Sequence, residues 1–337
     1  MKNLLTLILT ALMLSCATSC QYLVNKASYT DPSTISGKQG DVLVVINKEY
    51  WDSPLGQMIR DSLKLPYPML PQSEARFKVS NVSSKGFTAM FQIQRNIIRV
   101  DINQENVNKV TYRKNVWSTP QCVIDIKAED YNNAVELFNT NAAQIATVIE
   151  GAERDRIISN NKRYSSVSIE HEVNQMFGGS PVFPKEAKIY DKGENFMWIA
   201  TCNTDYIKQY ILIYKYPVEK GEDMMSGNSL IENNRKAVNS YIPGSRDGSY
   251  MTHSKYISPS VEYLKYNNKN FAEIRGLWEV ENDYMGGPFI SHVMYSPDGK
   301  YMIGIEGFVY APKFDKIQYI RAVEAIVYSF RWQGSEK

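Results

Sequence analysis

Asp41-Val42-Leu43-Val44-Val45-Ile46 is a near-continuous apolar run of strand length, rich in β-branched residues. No other segment constrains the fold as much. A strand that is apolar on both sides must be covered on both sides. Asn96-Ile97-Ile98-Arg99-Val100-Asp101-Ile102 makes the same demand. Helical patterns that would supply the cover surround them. Ser53 is placed to cap a helix that starts at Pro54, with Leu55, Ile59 and Leu63 along one face. Residues 129–161 read as a long helix with the stripe Ala134, Leu137, Phe138, Ala142, Ile145 and Ile149, and Gly151 predicts a bend or break in it. Pro66 to Pro71 forms a rigid connector. Residues 76–82, 110–112 and 121–126 read as strands and 84–91 as a short helix. The intermixing predicts an N-terminal mixed α/β layered domain over residues 40–162.

The second half is patterned differently. A helix over 168–177 stops at Gly178-Gly179, and a second spans 227–241. Strands are expected at 196–200, 209–216, 250–257, 270–280, 289–295 and 301–310, the last two joined through Ser296-Pro297-Asp298-Gly299. A closing helix over 314–331 carries Ile317, Ile320, Val323, Val327 and Phe330. Residues 163–332 are therefore expected to form a mostly antiparallel sheet-and-helix sandwich, PsbP/Mog1-like by analogy. The chain as a whole is placed in the α+β class.

The chain opens on a segment outside this scheme. Leu4 to Leu14 is apolar and uncharged. As a helix it would rise about 16 Å, half of a bilayer core, so it reads as the h-region of a signal peptide. Two cysteines follow, in Ser15-Cys16 and Ser19-Cys20. Cys20 is the expected lipidation site, with Cys16 the alternative. Thr18 is smaller than Leu14 at the position two before the cut, and cutting before Cys20 leaves Cys122 and Cys202 as an even pair. Residues 1–19 are then a lipoprotein signal peptide and 20–39 a flexible, polar tether. The expected partner is the membrane, through this lipid. The expected location is the cell envelope, facing the periplasm.

Composition narrows the function classes. Hydrophobic content of 43% and charged content of 22% belong to a globular chain. Net charge is +2, and the basic residues near Arg154 are interleaved with Glu150, Glu153 and Asp155, so no nucleic-acid partner is expected. With His171, His253 and His292 as its histidines, the chain has no H-E-x-x-H pair, and it has no G-x-S-x-G or P-loop frame. No metal, cofactor or catalytic residue is assigned. Cys122 and Cys202 fall in apolar surroundings and are expected as buried thiols, an inter-domain disulfide being the alternative.

Several stretches carry a family resemblance. They are Arg275-Gly276-Leu277-Trp278-Glu279-Val280-Glu281-Asn282-Asp283-Tyr284-Met285-Gly286-Gly287-Pro288-Phe289, Glu306-Gly307-Phe308-Val309-Tyr310-Ala311-Pro312-Lys313, and Pro243-Gly244-Ser245-Arg246-Asp247-Gly248-Ser249-Tyr250-Met251. Arg95-Asn96-Ile97-Ile98 and Tyr112-Arg113 with Trp117 belong to the same pattern. It resembles an uncharacterised Bacteroidetes lipoprotein family, domain of unknown function 4837. The resemblance implies a lipoprotein of unassigned activity and transfers no catalytic residue.

The first of these stretches supplies the candidate binding residues: Arg275, Trp278, Glu279, Glu281, Asp283, Gly286 and Gly287. In an unbroken strand Arg275, Leu277, Glu279, Glu281 and Asp283 share one face, and Trp278, Val280 and Asn282 the other. Three readings follow. The stretch is a structural hairpin with Trp278 in the core and glycines in backbone angles closed to other residues. Or its carboxylates form an acidic rim for a cation or sugar hydroxyls. Or two of them hydrolyse a glycosidic bond. The first functional expectation is a non-enzymatic envelope module that binds an envelope protein or glycan. The alternative is a carboxylate-dependent hydrolase of a glycan or envelope polymer.

Overall fold

The computed structural model describes residues 34–334. The expected signal peptide, Cys16, Cys20 and most of the expected tether lie outside the described residues. Among the described residues no helix is long and apolar enough to cross a membrane. The chain divides into two compact units. One takes residues 34–60 and 79–145, the other 61–78 and 146–334.

The first unit is built on five strands, β1 (Asp41–Val45), β2 (Lys78–Val82), β3 (Asn96–Ile102), β4 (Lys109–Lys114) and β5 (Cys122–Ala128), in the order β2-β1-β3-β5-β4. β1 and β5 flank β3 in parallel, and β4 is antiparallel to β5, so the sheet is mixed. Val42 to Ile46 and Val123 to Ile126 are buried almost throughout, as strands covered on both faces must be. The helices are α1 (Lys48–Trp51), α2 (Pro54–Leu63) and α3 (Ala89–Gln92), with the start of α4 (Tyr131–Arg163). The expected helix over 84–91 is instead a 3-10 turn at Ser84–Gly86 followed by α3, because Ser83 caps the turn and Thr88 restarts the chain in extended geometry. Residues 34–39 are not a free tether end: the Ser36 amide and carbonyl bond to Ile93 and Arg95. Helix α4 runs unbroken through Gly151, contrary to the expected bend. One glycine costs a helix interior only about 1 kcal/mol, too little to break so long an element.

The second unit centres on an antiparallel sheet. Its strands are β7 (Lys188–Lys192), β8 (Phe196–Asn203), β9 (Lys208–Pro217), β10 (Met251–His253), β11 (Ser260–Tyr266), β12 (Lys269–Val280), β13 (Gly286–Tyr295) and β14 (Tyr301–Tyr310). They run in the order β10-β12-β13-β14-β9-β8-β7, and β11 also pairs with β12. A separate small pair joins β6 (Gly179–Ser180) to β15 (Arg331–Trp332). Helix α5 (Val167–Phe177) ends at Gly178, whose φ of 74° only glycine adopts readily. Helices α5 and α7 (Ile317–Ser329) pack on one face of the large sheet through Val173, Phe177, Val323 and Val327. Helix α6 (Gly227–Tyr241) packs on the other face through Leu230 and Val238. The sheet is thus sandwiched between helices, and the chain is α+β as expected.

Two strands lack a clear sequence signal. β7 (KIYDK) and β11 (SVEYLKY) are largely solvated, so neither shows a buried alternation. The expected strand over 250–257 shortens to β10, because past His253 the chain leaves the edge of β12 and β11 takes the remaining length of that edge. No disulfide links Cys122 and Cys202.

Candidate functional site

The candidate stretch forms the β12–β13 hairpin. Pairing runs from Ala272 opposite Val293 to Glu279 opposite Gly286, and residues 281–285 make the turn. Alternation holds to Val280. Trp278 and Val280 face α6, while Phe271, Glu273 and Arg275 face α7. It then fails: Asn282 takes a φ of 63°, and Glu281 and Asp283 lie in the turn rather than on a strand face. The glycines serve a purpose other than the one expected. Neither has a positive φ; Gly287 is needed because a Cβ there would sit 2.0 Å from the Val309 carbonyl oxygen. Trp278 crosses this gap and donates from Nε1 to the same oxygen at 3.2 Å.

Six of the seven candidate residues line one open depression of about 680 Å³: Trp278, Glu279, Glu281, Asp283, Gly286 and Gly287. Each carboxylate is engaged, two of them by Lys255. Lys255 binds Glu281 through its ammonium at 2.9 Å and Glu279 through its backbone N–H at 3.4 Å. The Lys255 ammonium is raised above its usual range, first by the hydrogen bond to Glu281. Asp283 accepts from the Ser245 hydroxyl at 2.5 Å and from the Tyr284 amide at 2.7 Å. The Ser245 bond, then the amide, hold Asp283 below its usual range. Tyr256 and Tyr284 flank the depression almost wholly in solvent, at 90% and 97% exposure.

Ser245, Arg246, Lys255 and Tyr256 were not among the candidates. Ser245 and Arg246 belong to the stretch 243–251, singled out for its family resemblance alone, and that stretch meets the hairpin. The Glu281 amide donates to the Tyr250 carbonyl at 2.9 Å, and Arg246 reaches the Asn282 carbonyl at 3.4 Å. The stretch from Glu306 arrives from the other side, with Phe308 against Trp278 at 5.8 Å between ring centroids. Three stretches far apart in sequence therefore converge on Trp278.

Arg275 is elsewhere. It binds Glu273 at 2.6 Å and Glu324 at 3.0 Å. Arg154 meets the other Glu324 oxygen at 2.7 Å, and the Tyr67 hydroxyl donates to Glu324. His292 and the Tyr328 hydroxyl reach Glu273 at 3.1 and 2.6 Å. Burial alone would raise the Glu324 carboxyl, but Arg275 and then Arg154 outweigh it and hold the group ionised. A cleft of about 700 Å³ opens on this cluster. Glu273, Glu324, Arg154 and Arg275 are all engaged with one another, so the cluster reads as a buried ion network that fixes the packing of α7 and α4 against the sheet. Under α6 lies a second polar cluster. Asn234 donates to Glu306 at 2.5 Å and to the Tyr214 hydroxyl at 2.9 Å, and its oxygen meets His253 at 2.7 Å. Burial pushes the Glu306 carboxyl up to about 8 and the His253 imidazole down to about 4.

Residues 166–329 match the family described as domain of unknown function 4837. That segment belongs to this uncharacterised family. Residues 35–162 match a second family, domain of unknown function 8532. The stretches at Arg95 and Tyr112 fall in the 8532 region, and the three that meet at Trp278 fall in the 4837 region. No curated protein matches the sequence. A crystal structure from Bacteroides thetaiotaomicron VPI-5482 aligns with 48% of this chain at 9% identity and a TM-score of 0.25. This chain spans about half of that protein, 47% of its length, and the likeness carries no argument.

Proposed function

We propose that this chain is a lipid-anchored envelope protein that binds a glycan, without catalysis, in the depression beside the β12–β13 hairpin. The observation that carries the reading is the pairing of Tyr256 and Tyr284, nearly free in solvent, with a floor of carboxylates and cations. Tyrosine faces stack on the apolar side of pyranose rings, while Glu279, Glu281 and Lys255 offer acceptors and donors to hydroxyls. Catalysis is disfavoured on chemical grounds. Glycoside hydrolysis needs one carboxyl that keeps its proton. Asp283 is pushed the other way, and Glu281 is engaged by Lys255.

Glycan arrays probed with the full chain in detergent test the binding. The expected result is selective capture of one glycan class, lost by about tenfold or more in Tyr256→Ala/Tyr284→Ala. Capture that the double variant leaves untouched would overturn the reading, as would no capture at all. The anchor is tested by growth on an alkyne fatty acid. Cys20→Ser should abolish labelling and Cys16→Ser keep it, and label on neither parent cysteine contradicts the anchor.

A further inference from the structure

The other face of the same hairpin carries a smaller and drier pocket. Segment 242–245, just past α6, forms one wall of a cavity of about 270 Å³. The rest of its lining is mainly aromatic. Trp198 lies 5.2 Å from Tyr210, Tyr210 lies 5.3 Å from Phe308, and Trp278 lies 5.8 Å from Phe308 and 6.4 Å from Tyr310, between ring centroids. An apolar cavity of about 150 Å³ holds a benzene molecule, so this one takes a single substituted or bicyclic ring and not an oligosaccharide.

One polar group in the lining is unmatched. Trp198 is only 7% exposed, and its Nε1–H finds no acceptor among the described residues. Trp278 shows the contrast, since its own Nε1–H is satisfied by Val309. A buried donor left unpaired costs stability that an incoming acceptor returns. Of the rings packed against Trp198, the most exposed is Tyr190, 4.5 Å away between centroids and 56% exposed. Tyr190 is the extra residue of a bulge in β7, where pairing steps from Ile189 opposite Ile199 to Asp191 opposite Trp198. Bulges on edge strands re-aim side chains, and this one sets Tyr190 tilted against the indole.

We propose that this pocket binds one planar aromatic ring bearing a hydrogen-bond acceptor, and that the acceptor meets Trp198 Nε1–H when Tyr190 swings aside. A pyranose fits less well. It brings several hydroxyls, whereas Lys208 and Ser245 in the lining are already engaged by Asn203 and Asp283. The inference stands apart from glycan binding in the depression, whose tyrosines lie outside this pocket.

The test uses the full chain and a pair of probes that differ by the acceptor oxygen, acetophenone and ethylbenzene, with methyl β-glucopyranoside as the sugar. The affinity for acetophenone should exceed that for ethylbenzene by about tenfold, the worth of one good hydrogen bond. Trp198→Phe, which keeps a ring but removes the N–H, should erase that difference and leave ethylbenzene binding in place. In the unmutated protein the Trp198 indole N–H resonance should move downfield with acetophenone and not with ethylbenzene, which makes the test independent of the variant's folding. Tyr256→Ala/Tyr284→Ala should bind both probes as before. Equal affinity for the pair, absence of saturable aromatic binding at millimolar concentration, or binding of the glucoside in its place would each overturn the proposal.

Discussion

Glu306→Gln should stabilise the protein, and increasingly so as the pH rises. Glu306 lies in β14 with 0% exposure; one oxygen accepts from Asn234 at 2.5 Å and the other finds no partner. Burial raises the carboxyl from an ordinary 4.5 to about 8. A carboxyl raised in the folded state contributes its full stability below its unfolded value and loses it as the pH climbs to its folded value. The loss therefore runs from about pH 4.5 to about pH 8 and amounts to on the order of 5 kcal/mol. Glutamine keeps an acceptor for Asn234 and cannot ionise. Urea unfolding of parent and variant at matched pH values measures the difference directly, and the subtraction removes groups that titrate alike in both, His253 among them. The variant should be ahead by roughly 1 kcal/mol at pH 5, roughly 3 at pH 7 and roughly 5 by pH 9. A difference that does not change with pH would refute the reasoning, because it would mean that Glu306 ionises as freely in the folded chain as in the unfolded one.

Other consequences are as specific. Glu324→Gln leaves Arg154 and Arg275 short of a counter-charge and should cost about 3–5 kcal/mol in urea unfolding; unchanged stability would show that the network is loosely held. Gly287→Ala should cost about 2–4 kcal/mol because its Cβ would strike the Val309 carbonyl, whereas Gly151→Ala, with nothing within 4 Å, should gain up to about 1 kcal/mol of helix stability. The His292 imidazole, pushed down to about 4 by burial against the pull of Glu273, should stay neutral in NMR titrations down to pH 5. Its contribution to stability is present above about pH 6.5 and is lost as the pH falls toward 4; a midpoint near the ordinary imidazole value contradicts its burial.

Much of this architecture is legible in sequence because the core strands pay no attention to solvent. Asp41 to Ile46 and Asn96 to Ile102 are apolar enough to require cover, and that cover is present from Val42 to Ile46 and at Asn96 to Ile98 and Val100, while Asp101 is exposed. The β12–β13 and β13–β14 hairpins follow from alternation and from the turn at Ser296 to Gly299. The edges do not announce themselves. β7 and β11 half face water, so their side chains obey solubility rather than packing, and the bulge that re-aims Tyr190 has no glycine or proline to mark it. At the site, the stretch from Trp278 to Gly287 is recognisable from its density of charge beside glycines. Arg275 is misassigned because strand alternation fixes the face of a side chain but not the partners it meets across α7. Ser245, Lys255 and Tyr256 reach the hairpin only through tertiary contact, so spacing along the chain cannot reveal their role. The resemblance of the stretch from Pro243 to Met251 was the one available signal.

The central claim is that the turn at residues 281–285 and the segment at residues 245–256, which includes β10, form one glycan-binding surface. Hydrogen–deuterium exchange of the full chain, with and without the glycan captured on the array, tests it most directly. The account predicts protection at the amides of these two segments, with the five-stranded sheet unchanged. Protection confined to other segments, or none at saturating glycan, would contradict it.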